Sequence, residues 1–260
     1  MERRCSLCGK FLPMTEEHVP PQSCNNRGRI EKVNLFPIKN SKEPFRNIFI
    51  SQNGLKFKSL CQKCNNEIMG KLPDIAFKDF YDKVVNLIEK QQKNDFEIKV
   101  LDINVQGVIK CIFGKMLAMD SYYNEDQLCN EMREFIFYDK IPATAHLYVR
   151  YYPFDESFIA RNYGVSPDLS NEYCPVGLLS VLNYKPFGFI LSETRQNLAM
   201  VDLIDVLKNG VNELVFSSTS MSNPKNKSIL PQDWLLNPST GEYVLYLTEN
   251  SARAKIIRKL

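Results

Sequence analysis

Leu60-Cys61-Gln-Lys-Cys64-Asn65-Asn66-Glu-Ile-Met-Gly70, taken with Cys5-Ser-Leu-Cys8-Gly9, decides how the first part of this chain folds. Each Cys-x-x-Cys sets two thiolates on one side of a tight turn, which is half of a tetrahedral zinc site. Two such pairs supply four ligands, so Cys5, Cys8, Cys61 and Cys64 read as a structural Zn²⁺ site. A redox pair would want a thioredoxin-like strand-to-helix context, and neither pair has one. The 52 residues between the pairs exceed the needs of a zinc ribbon, so something functional or structural is inserted there. Cys24, Cys111, Cys129 and Cys174 lack ligand spacing and read as buried free thiols.

Composition frames this reading. The 260 residues are 44% hydrophobic and 24% charged, ordinary for a globular chain that can build its own core. No apolar run reaches the roughly eighteen residues of a membrane span. Met1-Glu-Arg-Arg-Cys5 carries no apolar leader, so the expected compartment is cytoplasmic, where disulfides are rare. The net charge of +3 is unevenly spread. Residues 1–71 hold thirteen Lys/Arg against six Asp/Glu, and the remainder twenty against twenty-four. A basic first part beside a mildly acidic remainder points to a polyanionic partner.

Inside the insertion lies Thr15-Glu16-Glu17-His18-Val-Pro-Pro21. The prolines end a strand, because they cannot donate to a ladder. A carboxylate there can hold a divalent cation, and a neutral imidazole beside it can take a proton from water near pH 7. Asn65 and Asn66, directly behind the last zinc cysteine, fall in the first turn of the next helix. An Asn carboxamide oxygen can ligate a hard cation. Adjacent residues on a regular strand face opposite ways, so Glu17 and His18 share a site only where the strand ends or bulges. Glu16 is a rival ligand on the His18 face.

These segments, Cys5-Ser-Leu-Cys8-Gly9, Glu17-His18-Val-Pro20 and Cys61-Gln-Lys-Cys64-Asn65-Asn66, together resemble the HNH endonuclease superfamily, more narrowly its Glu-His subtype. The likeness spans about residues 1–75. It implies a ββα-metal (treble-clef) module with purely structural zinc. It also implies His18 as general base, with Glu17 and Asn65 holding a catalytic Mg²⁺ or Mn²⁺. The implied activity is metal-dependent hydrolysis of phosphodiester bonds, in DNA first and in RNA as an open alternative. Where members place a middle Asn this chain has Lys56, with Asn53 and Asn34 out of register. The insertion adds Arg27, Arg29, Lys32, Lys39, Lys42 and Arg46 as candidate phosphate contacts, with Lys56 and Lys58 beside them. The rival expectation is a zinc-dependent nucleic-acid-binding or scaffold protein whose nuclease apparatus has decayed. By analogy among such nucleases, a role in a defence system is a further expectation.

Behind Pro73 the pattern changes. Phe77, Phe80, Tyr81, Val84, Val85 and Ile88 recur at helical spacing, with Asp74 as the expected cap and a polar linker at 89–95. A second helix is expected over 103–119, where Gly107 and Gly114 permit close approach, and a third over 124–136. Strands are expected at 147–152, at 176–182 and 187–191 around a Lys185-Pro186 turn, and at 214–216 and 243–247. The chain thus reads as α+β. Residues 1–75 form the zinc module, 76–95 a connecting helix and linker, and 96–260 an α+β domain with a largely antiparallel sheet. That last part is the place for a regulatory subunit contact or a homodimer interface. His146 and Trp234 read as structural, Asp202 and Asp205 as a solvated face, and the basic tail from Arg253 to Lys259 as needing no ligand.

Overall fold

The computed structural model describes residues 3–34, 48–91, 96–120, 122–166, 177–195, 200–217, 244–246 and 252–256. Cys174, Trp234, Lys39, Lys42 and Arg46 lie outside these residues. The first cysteine pair sits between two short paired strands, β1 (Arg3–Arg4) and β2 (Phe11–Leu12). Next come β3 (Met14–His18), then β4 (Ile30–Asn34) and β5 (Ile48–Ser51) from the insertion, and β6 (Lys56–Cys61). β3 pairs antiparallel with β6. The chain then enters a π-helical segment, Lys63–Met69, closed by Gly70 N–H donating to the Asn65 carbonyl at 2.9 Å. Cys64 and Asn65 therefore stand at a helix start, as expected.

The helix α1 (Leu72–Glu89) begins earlier than the sequence suggests, with Pro73 in its first turn, where a missing N–H costs nothing. Asp74 is consequently inside the helix rather than capping it, and its carboxylate is spent elsewhere. Helix α2 (Val105–Ala118) is capped by the Asn104 side chain, and only Gln106 and Lys110 keep partial exposure. A helix apolar on every face belongs in a core, and α2 packs against α1, α3 (Gln127–Tyr138), β3 and β6. Two glycines mark its close approaches: a Cβ on Gly107 would fall 2.5 Å from the Ala76 Cβ of α1, and one on Gly114 2.1 Å from the Met69 Cε of the π-helical segment.

The C-terminal half forms the expected antiparallel sheet. Its strands are β8 (His146–Tyr151), β9 (Glu156–Ser166), β10 (Gly177–Tyr184), β11 (Phe187–Ser192), β12 (Val201–Asp202), β14 (Val244–Tyr246) and β15 (Ala252–Ile256). The order is β12-β8-β11-β10-β9-β15-β4-β5, with β14 also on β9. β10 and β11 make the anticipated hairpin around Lys185-Pro186. Two features were not legible. β15 pairs with β4, which draws the insertion into this sheet, and β7 (Glu97–Val100) pairs with β13 (Leu214–Ser217).

One apolar core runs from Cys5 to Phe216. Phe77 and Phe80 of α1 meet Phe187 and Phe189 of the hairpin, which joins the helices to the sheet. Polar contacts fasten the zinc region to the same body. The Ser59 and Ser6 hydroxyls donate to the Ala118 and Asp120 carbonyls, supplying partners at the end of α2. The Arg4 and Arg133 guanidinium groups both lie over the Tyr123 ring, 4.3 and 3.8 Å from its centroid. Among the described residues no helix is long and apolar enough to cross a membrane.

Asp202 departs from the expected solvated face. It is buried, caps the helix α4 (Leu203–Lys208), and lies 2.6 Å from His146 Nδ1. Asp205 pairs with Arg195. His146 Nδ1 therefore faces a buried carboxylate, and His146, Asp202 and Asp205 offer ligand atoms within 4.8 Å of one another.

Candidate functional site

Four sulfurs about 2.3 Å from a central ion stand about 3.8 Å apart in a tetrahedron. The Sγ atoms of Cys8 and Cys61 are 3.9 Å apart, and those of Cys5, Cys8, Cys61 and Cys64 all lie within 4.8 Å of one another. The set fits a structural zinc. A hydrogen bond between Cys64 and Cys5 lowers the Cys5 thiol and raises that of Cys64, as expected of two sulfurs close enough to share one proton. The other described cysteines behave differently. Burial pushes the Cys24 and Cys129 thiols up to about 12 and Cys111 well above its ordinary value, which leaves them inert.

A cavity of about 440 Å³ opens beside this centre. Glu17 and His18 from β3, Asn65 from the π-helical turn, Asp74 and Lys78 from α1, and Lys115 from α2 all line it. The structure therefore brings His18, Glu17 and Asn65 together. The end of the strand allows the neighbours Glu17 and His18 to share one space. β3 ends at His18, and its ladder with β6 slips between Thr15 and Glu16, leaving Ser59 as the extra residue. Glu16 is not in the cavity; it is exposed and paired with Lys56, the residue opposite His18. Lys56 stands where a middle Asn was sought.

His18 is held by Asn53 through the backbone, not the side chain. The Asn53 carbonyl lies 3.1 Å from His18 Nε2. A carbonyl only accepts, so Nε2 carries the proton of the neutral ring and Nδ1 keeps its lone pair. Burial, with lesser help from the Lys56 and Lys115 charges, holds the His18 pKa below its ordinary 6.5. The ring is consequently neutral near pH 7 and equipped to accept a proton.

Asn65 plays a different part from a ligand through its nitrogen. Its Nδ2 donates to Thr15 Oγ1 and to the Glu16 carbonyl, both at 3.0 Å, and so ties the π-helical turn to β3. A second brace, Asn26, escaped the sequence reading. Buried behind the loop, it donates to the Pro20 and Leu55 carbonyls at 2.7 and 2.9 Å and accepts from Leu55 N–H at 2.7 Å. Replacing Asn26 with Ala takes these partners from the Pro20 carbonyl and the Leu55 N–H, each worth about 1 kcal/mol or more, while the Leu55 carbonyl keeps only the Val19 N–H. Asn26→Ala is expected to lower unfolding free energy by about 3 kcal/mol in urea titration. An unchanged midpoint would refute the bracing role.

The largest surprise is Lys115. Its side chain is 1% exposed, its Nζ contacts Glu17 Oε1, and it lies 2.8 Å from Asp74 Oδ1. Burial alone would strip its proton, but the Glu17 and Asp74 charges outweigh that and hold the ammonium above the ordinary lysine range. The Glu17 carboxylate that a catalytic divalent ion would require is thus already bound to a cation of the chain itself. The residues as arranged do not fit a divalent ion at Glu17. Of the insertion's basic residues that are described, Arg27 donates to the Gln22 carbonyl and Lys32 lies over the Phe57 ring at 4.8 Å.

No protein-family model, no curated protein and no solved structure matches the chain.

Proposed function

We propose that this cavity hydrolyses phosphodiester bonds of nucleic acid, DNA in the first place, with His18 as general base. One observation carries the reading: a neutral imidazole, fixed through Nε2 by the Asn53 carbonyl, borders an open cavity on a hairpin anchored by the four-cysteine cluster. Base catalysis needs a proton acceptor in its unprotonated form near working pH, and His18 has that form. In the proposed step its Nδ1 takes a proton from water as that water attacks phosphorus, the bond from phosphorus to the leaving sugar oxygen breaks, and that oxygen takes a proton from solvent. Lys78 in the cavity wall and Lys56 opposite His18 are paired with Asp82 and Glu16, and a phosphate would compete with those carboxylates for them. Asn65 and Asn26 hold the strand and loop so that His18 keeps its place. No step passes through a divalent ion, because Glu17 is bound to Lys115.

The test is cleavage of supercoiled plasmid and of single-stranded DNA and RNA by wild type and His18→Ala, across pH. Loss of a general base costs about 100-fold or more. The substituted protein should keep its zinc and lose that much rate. His18 must be neutral to act and its pKa is depressed, so the wild-type rate should be flat above pH 6.5. It should fall as pH drops through a value below that. Equal cleavage by both proteins, or an acid limb above 6.5, overturns His18 as base.

The Lys115 contact favours a second reading: a zinc-stapled module that binds nucleic acid without turnover. It predicts salt-dependent binding by both proteins and cleavage by neither.

A further inference from the structure

We propose that Lys115 is the resident cation of this cavity, an ammonium standing in the place of a divalent ion. The idea rests on the reading above only for where such an ion would sit.

Three observations carry it. The first is the partner set. Lys115 Nζ bridges two carboxylates from separate elements, Glu17 at the end of β3 and Asp74 in the first turn of α1. Carboxylates converging from a hairpin and a helix are the donors a hard cation would take. Here one positive side chain holds both. The second is burial. The Lys115 and Glu17 side chains are 1% and 4% exposed, so neither charge can be left to water if the other departs. The ammonium holds one oxygen of each carboxylate, Glu17 Oε1 and Asp74 Oδ1, so a divalent ion ligated by Glu17 would be brought against a buried positive charge.

The third is the rigidity of its mount. Twelve residues of α2 are buried, and the helix is packed through Gly107 against Ala76 and through Gly114 against Met69. The Lys115 backbone cannot retreat, so the ammonium is built in. Lys115 also comes from outside the segment that resembles a nuclease, across 98 residues of sequence from Glu17. The larger half of the chain thereby sets the ionic state of the smaller half's site.

The charge count makes the idea testable. Glu17, Asp74 and Lys115 together carry −1, and deleting the ammonium leaves −2, which suits a divalent ion. Zinc-loaded full-length protein is titrated with Mn²⁺, and free Mn²⁺ is followed by electron paramagnetic resonance. Wild type should show no Glu17-dependent site. Lys115→Met should gain one Mn²⁺ per chain, bound at least tenfold more tightly than anything wild type offers. Adding Glu17→Gln should abolish it. The proposal is overturned if wild type binds one Mn²⁺ that Glu17→Gln removes. It is also overturned if Lys115→Met keeps its zinc and circular dichroism yet gains no site. Should Lys115→Met fail to fold, the comparison of wild type with Glu17→Gln decides alone: Glu17-dependent uptake overturns the proposal and its absence supports it. No nucleic acid enters the experiment, so its outcome is independent of whether the cavity cleaves anything.

Discussion

Cys64→Ser is expected to release zinc and to unravel residues 3–29 and 52–71 while much of the sheet persists. The strands that carry the first knuckle are two residues each, and Arg3, Arg4 and Phe11 are exposed, so pairing alone cannot hold them. What fixes them is the sulfur cluster, which ties Cys5 and Cys8 to the end of β6 and to the π-helical turn. Structural zinc contributes about 10–16 kcal/mol in small modules, comparable to the whole stability of a domain, about 5–15 kcal/mol. Here the module also shares its core with α2 and α3, which recovers part of the loss. A net cost of about 5 kcal/mol or more is therefore expected, roughly 10–20 °C in Tm at this chain length. Metal analysis, a thermal melt and limited proteolysis would show it, with new cleavage before residue 71. Zinc-free protein melting at the wild-type temperature would mean that the thiols do not hold a structural metal. Phosphodiester cleavage should vanish together with the zinc, because Asn65 lies on the π-helical turn that the cluster ties down and His18 on β3, which pairs with β6.

How much of this was readable without coordinates follows from the range of each signal. Cys-x-x-Cys spacing, the helical recurrence from Phe77 to Ile88, and the turn at Lys185-Pro186 are local patterns, and the corresponding elements formed where expected. The junction of Glu17 and His18 is legible as a condition, that the strand end or bulge there, and the strand ends at His18. Lys115 was not legible as a partner, since its contact with Glu17 spans 98 residues. One signal was nevertheless available: a charged side chain within a helix apolar on every face must find a buried counter-charge. Asp74 was misassigned because an acidic residue after Pro resembles a cap, while its carboxylate serves Lys115 instead. Asn26 sat among loop residues with no periodicity to mark it, and only the meeting of Pro20 and Leu55 reveals its use. The pairing of β4 with β15 is a register choice between distant strands, which alternation alone does not specify.

The same long-range logic makes Phe80→Ala the most disruptive single change expected away from the zinc. Phe80 is fully buried and stacks on Phe187 with ring centroids 4.7 Å apart and planes at 20°. It also meets Phe77 edge-on at 6.3 Å and Phe216 at 6.0 Å. One ring therefore touches α1, the β10–β11 hairpin and β13, three elements with no local reason to be near each other. Truncation removes buried apolar area and leaves a cavity that a helix, a hairpin and a short strand cannot all close. Phe→Ala changes of this kind cost about 3–5 kcal/mol, roughly 10 °C or more in Tm for a chain of this size. Phe11→Ala, at an exposed site, should cost under about 0.5 kcal/mol and serves as the control. The consequence should reach the cavity as well. α1 carries Asp74 and Lys78, and α2, which carries Lys115, packs along it. Loosening α1 from the sheet should raise amide exchange in the first turn of α1 and around Lys115 before global unfolding. If Phe80→Ala matches Phe11→Ala in both melting temperature and exchange, the helices are not anchored to the sheet through this aromatic cluster.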